Sequence, residues 1–223
     1  MIPTEQVMDE AIADVGGKRV SSLIPDNGRL NENADYLCYQ HYAILELKSL
    51  QTALETPSYQ DKLRELAYGW AKIGLIPFST RLKLNLPTLP EPCQQEWIRL
   101  LTQSLQLMIN KTNRHIRNVK NALNLPNFRG VLLLANDCAI DLEPYNVIVL
   151  VANILRKTHS DGLPQYSSID AVTFLSCNLP IVGTESKSAA LWWFSSHRPS
   201  STKLTSDLLA QIGSCHRQRQ IRT

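Results

Sequence analysis

Apolar positions recur along the chain with two different periods, and the change from one to the other marks out the elements. Val7, Met8, Ala11, Ile12 and Val15 share one face at helical spacing and are followed by Gly16-Gly17, which predicts a helix from Thr4 to Val15. Lys18 to Ile24 reads as a short strand and Pro25-Asp26-Asn27-Gly28 as a turn, because Pro fixes φ and Gly accepts backbone conformations that other residues avoid. Ala34 to Tyr39 and Tyr42 to Leu50 read as the two arms of a hairpin. A second helix is predicted at about Tyr59 to Ile73, burying Leu63, Leu66, Ala67, Trp70 and Ile73.

From Leu75 to Pro92 proline breaks the pattern, so this stretch is expected to be a stiff connector. The most regular segment follows, at about Gln94 to Leu123. Ile98, Leu101, Leu105, Met108, Ile109, Thr112, Ile116, Val119 and Leu123 fall within an arc of about 100° at helical spacing, which predicts a long amphipathic helix packed along the main domain or a partner chain. Gly130 to Ala135 is a continuous apolar run suited to a buried strand, with a turn at Asn136-Asp137, a helix from about Pro144 to Lys157 and a strand from Ile169 to Ser176. Ser195 to Ser206 is rich in Ser and Pro, and His216 to Arg222 forms a basic tail. Alternation of helices and strands points to an α/β fold with a mixed sheet.

Composition narrows the class. The chain has 223 residues and is 43% hydrophobic, ordinary for a globular protein. Its apolar runs stop well short of the ~20 residues that a membrane-spanning helix needs. Met1 to Glu10 carries Glu5, Asp9 and Glu10 and no basic-then-apolar leader, and the five cysteines lack zinc spacing, so a reducing, cytoplasmic location without a membrane is expected. The net charge of +3 is unevenly spread: residues 1–90 sum to −2 and residues 91–223 to +5, which directs any nucleic-acid surface to the second half.

Candidate chemistry lies in the hairpin. With Cys38 paired to Ala43, Leu37 to Ile44 and Tyr36 to Leu45, Asp35 stands opposite Glu46 on the same face, with Cβ atoms roughly 4.5–5.5 Å apart. Lys48, two residues beyond Glu46, shares that face. Closure at Gln40-His41 gives this register, as does a four-residue loop. Like charges directly opposite on a sheet are destabilising, and a hard divalent cation would reconcile them. Glu-x-Lys on a strand also occurs as a solvated face, but Ile44, Leu45 and Leu47 around Glu46 argue for a central strand.

The order helix, strand, hairpin of Ala-Asp-Tyr-Leu and Ile-Leu-Glu-Leu-Lys, helix, strand, helix, strand resembles the PD-(D/E)xK phosphodiesterase superfamily, the fold of many restriction and repair nucleases. The resemblance covers about residues 4–176. It implies a restriction-endonuclease-like mixed central sheet flanked by helices, in a single domain over 1–223 with a helical insertion at about 75–125 and a C-terminal extension at about 177–223. It places the motif's acid on Asp35 and its (D/E)xK on Glu46-Leu47-Lys48, although Ala34 stands where the family has Pro and Pro25-Asp26 lies too far upstream. The implied activity is hydrolysis of phosphodiester bonds in DNA, with Mg²⁺ or Mn²⁺ held by Asp35 and Glu46 and with Lys48 as the third catalytic group. The alternative is an inactive module of the same fold that binds nucleic acid or a protein partner.

Members of the superfamily often add a Glu from the first helix, for which Glu5 and Glu10 are candidates beside an ordinary surface reading. The long helix could carry a homo-oligomeric or other protein contact. Lys111, Arg114, Arg117 and Lys120 are spread round its polar side, as a solvated face or as phosphate contacts. Trp192-Trp193-Phe194 reads as core or interface, and Cys38 with His41 lacks the third group of a nucleophilic site.

Overall fold

The computed structural model describes residues 4–24, 33–78, 88–136, 144–180 and 187–195. The turn at 25–28, half of the connector, Asp137 and the basic tail, all singled out in the sequence, lie outside the described residues. Among those described, six strands form one sheet in the order of the chain: β1 (Lys18–Arg19), β2 (Tyr36–Cys38), β3 (Ala43–Ser49), β4 (Arg129–Asn136), β5 (Ala171–Pro180) and β6 (Lys187–Ser195). Pairing is antiparallel from β1 to β3, parallel from β3 through β4 to β5, and antiparallel again at β6. The sheet is therefore mixed, and helices flank it.

Each parallel step needs a crossover, and helices supply them. α2 (Leu50–Leu54), α3 (Pro57–Lys72) and α4 (Glu91–Ala122) lie between β3 and β4, and α5 (Pro144–Leu155) lies between β4 and β5. α1 (Thr4–Asp14) precedes the sheet and lays Met8, Ala11, Ile12 and Val15 on one face, against Tyr36, Leu45, Val131 and Leu133. The opposite face, carrying Leu37, Ile44, Leu132, Leu134, Val172 and Phe174, is covered by α2, α4 and α5. Alternation along β3 and β4 thus sends odd-numbered residues to α1 and even-numbered ones to α4.

The stripe on α4 packs as its period requires, with Leu101, Leu105, Ile109, Thr112, Ile116 and Val119 buried. Pro90 leads into this helix and Thr56 caps α3, its Oγ1 accepting from the Tyr59 amide. A smaller cluster of Ala67, Trp70, Cys93 and Trp97 joins α3 to α4. There the Trp97 indole N–H donates to the Tyr59 hydroxyl at 3.0 Å, and that of Trp70 donates to Glu96 at 2.8 Å. No helix of the described residues is long and apolar enough to cross a membrane.

Four expectations need correction. The strand foreseen over Lys18 to Ile24 keeps only two residues, because the chain turns at Val20–Ser22, where the Val20 amide bonds the carbonyl of Asp35. The hairpin closes through four residues, not two: Tyr39–His41 form a 3-10 turn and Tyr42 adopts φ 48°, with both tyrosines edge-on to Phe128. Ile73, expected inside, is 70% exposed, since the helix ends at Lys72 and Gly74 turns the chain away at φ 77°. The segment treated as an extension from 177 onward contains β6, which pairs with β5; the side chains of Trp192-Trp193-Phe194 lie outside the described residues.

Candidate active site

The four-residue loop preserves the predicted register: Tyr36 pairs with Leu45, Leu37 with Ile44 and Cys38 with Ala43. One step further, Asp35 stands across from Glu46 just before β2 begins. The Leu47 amide donates to Asp35 Oδ2 at 2.7 Å, so this carboxylate is tied to the backbone of the strand that carries its neighbour. Glu46 and Lys48 follow Ile44 at even positions and share the α4 side of the sheet. The Lys48 ammonium lies 2.5 Å from Glu46 Oε1.

A fourth side chain joins them from the long helix. His115 Nδ1 is 2.8 Å from the same Glu46 oxygen, and the ring is buried. Glu46 is 0% exposed and Lys48 24% by side chain, so solvent approaches the group past the lysine and the partly buried Asp35 and does not reach Glu46. Burying a carboxylate is costly unless it is paired, and Lys48 and His115 supply the pairing. Glu46 Oε2 and His115 Nε2 nevertheless have no hydrogen-bond partner among the described residues, nor has Thr112 Oγ1 one helical turn before His115.

Electrostatics mark the pair of acids. Burial, followed by the charge of Glu46 opposite, pushes the Asp35 carboxyl up from 3.8 to about 6, against the opposing effects of the Leu47 amide and Lys48. On the other face of the sheet Asp9 is held below the usual range by the Arg19 guanidinium. That guanidinium also bonds Glu5 at 2.8 Å, and Tyr36 donates its hydroxyl proton to Asp9 at 2.9 Å. Glu5 is therefore paired on the α1 side, and Glu10 is an exposed residue of the same helix, so α1 contributes neither to the Asp35–Glu46 side.

The remaining candidates separate cleanly. Burial raises the Cys38 thiol to about 12, far from a nucleophile's range. Lys111, Arg114 and Arg117 are exposed on α4, whereas Lys120 is largely buried with Nζ 3.6 Å from Asp170 Oδ2. Among the described residues no set of three or more His, Cys, Asp or Glu is placed to hold a metal ion. Two carboxylates are the donor type that a hard cation takes while it keeps most of its waters, and Glu46 Oε2 is a fully buried oxygen without a hydrogen-bond partner.

Comparison with protein-family models, with curated proteins and with solved structures returned no match for this chain. The class that fold and site define is accordingly a mixed sheet flanked by helices, with Glu46 and Lys48 on β3 and Asp35 just before β2. His115 is the member that the sequence reading missed. Its only signal was position, about 20° outside the apolar arc of α4 beside Met108 when the helix advances 100° per residue.

Proposed function

We propose that the chain is a metal-dependent nuclease of restriction-endonuclease-like type, acting on phosphodiester bonds in DNA. The observation that carries this reading is the juxtaposition of Asp35, just before β2, with Glu46 on β3, whose fully buried carboxylate takes the Lys48 ammonium, a charge cluster that needs a reason to be tolerated. Asp35 and Glu46 would hold Mg²⁺ or Mn²⁺, which when bound polarises the scissile phosphate and acidifies a water. The residues do the rest. Asp35 is fixed by the Leu47 amide and is mostly ionised at neutral pH, although its carboxyl is raised to about 6. Lys48, the most exposed of Glu46's partners, is free to turn its ammonium to a phosphate oxygen and offset charge that develops there.

One observation favours the second reading, an inactive module that binds nucleic acid or a protein partner. Glu46 Oε1 already pairs with the Lys48 ammonium and lies within hydrogen-bond distance of His115 Nδ1, so the lysine offsets its charge without a metal. Cleavage of plasmid and single-stranded DNA with Mg²⁺ or Mn²⁺, against a chelator control, separates the two. Glu46→Ala is expected to abolish cleavage with DNA binding nearly unchanged, and Lys48→Ala to lower the rate while the cation still binds. Cleavage undiminished in Glu46→Ala assigns the activity elsewhere and moves the binding-module reading to first place.

A further inference from the structure

Glu46 Oε1 receives two neighbours from opposite directions in sequence, Lys48 Nζ from its own strand and His115 Nδ1 from α4. An ammonium can only donate and an ionised carboxylate oxygen can only accept, so the second contact is a hydrogen bond in the form of the ring that carries its proton on His115 Nδ1. The two donors differ in freedom. Lys48 ends a flexible stem at the solvent side, whereas the His115 ring is 3% exposed on a helix whose register is pinned on both sides of it. Two residues before it, Asn113 Oδ1 accepts from the Ser168 amide at 2.9 Å. Five residues after it, Lys120 approaches Asp170, whose Oδ2 accepts from the Gly130 amide at 2.8 Å.

We propose that His115 is a positioning residue of the site: its Nδ1–H fixes Glu46 Oε1 so that Oε2 is presented as the cation-binding oxygen, and it keeps Glu46 in place when Lys48 turns to a phosphate. This rests on the nuclease reading above. The long helix is then part of the site's machinery, since it delivers the group that holds the acid. A purely structural histidine would equally satisfy a buried carboxylate, but it would not care which oxygen is left open.

The test uses the full chain and Mn²⁺ alone, with binding followed by calorimetry and by the resonance of free Mn²⁺. An Asn side chain can place an N–H near where His115 Nδ1 stands, whereas a Gln amide reaches towards the Nε2 position. His115→Asn is expected to bind Mn²⁺ within about threefold of the wild type, and His115→Gln and His115→Leu to bind about 10–100-fold more weakly, the range usual for groups that orient metal ligands. A heteronuclear spectrum of the wild type, which needs neither metal nor variant, is expected to show the His115 proton on Nδ1. Wild-type binding with all three variants alike overturns the role of His115 and leaves the nuclease reading standing, as does a neutral ring protonated only at Nε2. No Mn²⁺ binding by the wild type overturns the nuclease reading and this inference with it.

Discussion

Replacing Asp35 by Asn is expected to make the cation-free protein more stable at neutral pH. In the folded chain the Asp35 carboxyl titrates at about 6 and in the unfolded chain near 3.8, so between these values the folded state binds the extra proton. Stability that is present below pH 3.8 is therefore lost as pH rises through about 6. At about 1.4 kcal/mol for each pH unit of the gap, the loss at pH 7 is about 3 kcal/mol. Asn keeps an oxygen to accept the Leu47 amide and carries no charge to face Glu46, so Asp35→Asn recovers most of that amount. With a urea slope of about 2 kcal/mol/M, the unfolding midpoint rises by about 1.5 M at pH 7 and by little near pH 4. Urea titrations with a chelator at pH 4, 5, 6 and 7 read this directly. Saturating Mg²⁺ narrows the gap, because an ion bound only by the folded wild type contributes about 2.7 kcal/mol at a hundred times its dissociation constant. A gain of equal size at pH 4 and pH 7, or a loss at pH 7, refutes the reasoning.

Two further predictions concern the scaffold. A methyl at Gly130 would sit 1.9 Å from the Ser168 carbonyl oxygen and 2.8 Å from Ile116 Cγ2, so Gly130→Ala is expected to cost about 3 kcal/mol or more in denaturant unfolding. Gly69→Ala, in a helix with open space round the new methyl, serves as the control and stabilises by about 0.5–1 kcal/mol. Tyr59→Phe leaves the Trp97 indole N–H without its acceptor and costs about 1–2 kcal/mol, read from the shift in unfolding midpoint; a neutral result means that the indole finds another partner.

The register of Asp35 against Glu46 was legible because it is local. The short loop between Cys38 and Ala43 sets which residues pair, since closure by two residues or by four gives the same register. The buried face of α4 was legible from one period that holds from Ile98 to Leu123, about seven turns. What escaped the sequence depends on contacts between distant segments. His115 flanks the stripe as a surface histidine would, and only its approach to a strand 69 residues away makes it part of a site. β6 escaped because Ala189 to Phe194 is an unbroken apolar run without alternation between Ser-rich flanks, a pattern that leaves strand and other buried segments undistinguished. Ile73 was misplaced by extending a helical period one residue past the end of the helix.

The separation of 69 residues between Glu46 and His115 has a consequence for synthesis. At about 5–20 residues per second, roughly 3 to 14 seconds pass between translation of the acid and translation of its helical partner. During that interval the hairpin can pair, but both neighbours of β3 and both of its covers cannot be in place, because β4 and α4 are still to come. Ile44, whose cover is α4, is exposed on an unpaired edge meanwhile, which is the kind of surface that recruits a holding chaperone or a neighbouring nascent chain. A ribosome pause before codon 91 would lengthen the exposure and one after codon 136 would relieve it, so the yield of folded protein should respond to synonymous codon choice in that window.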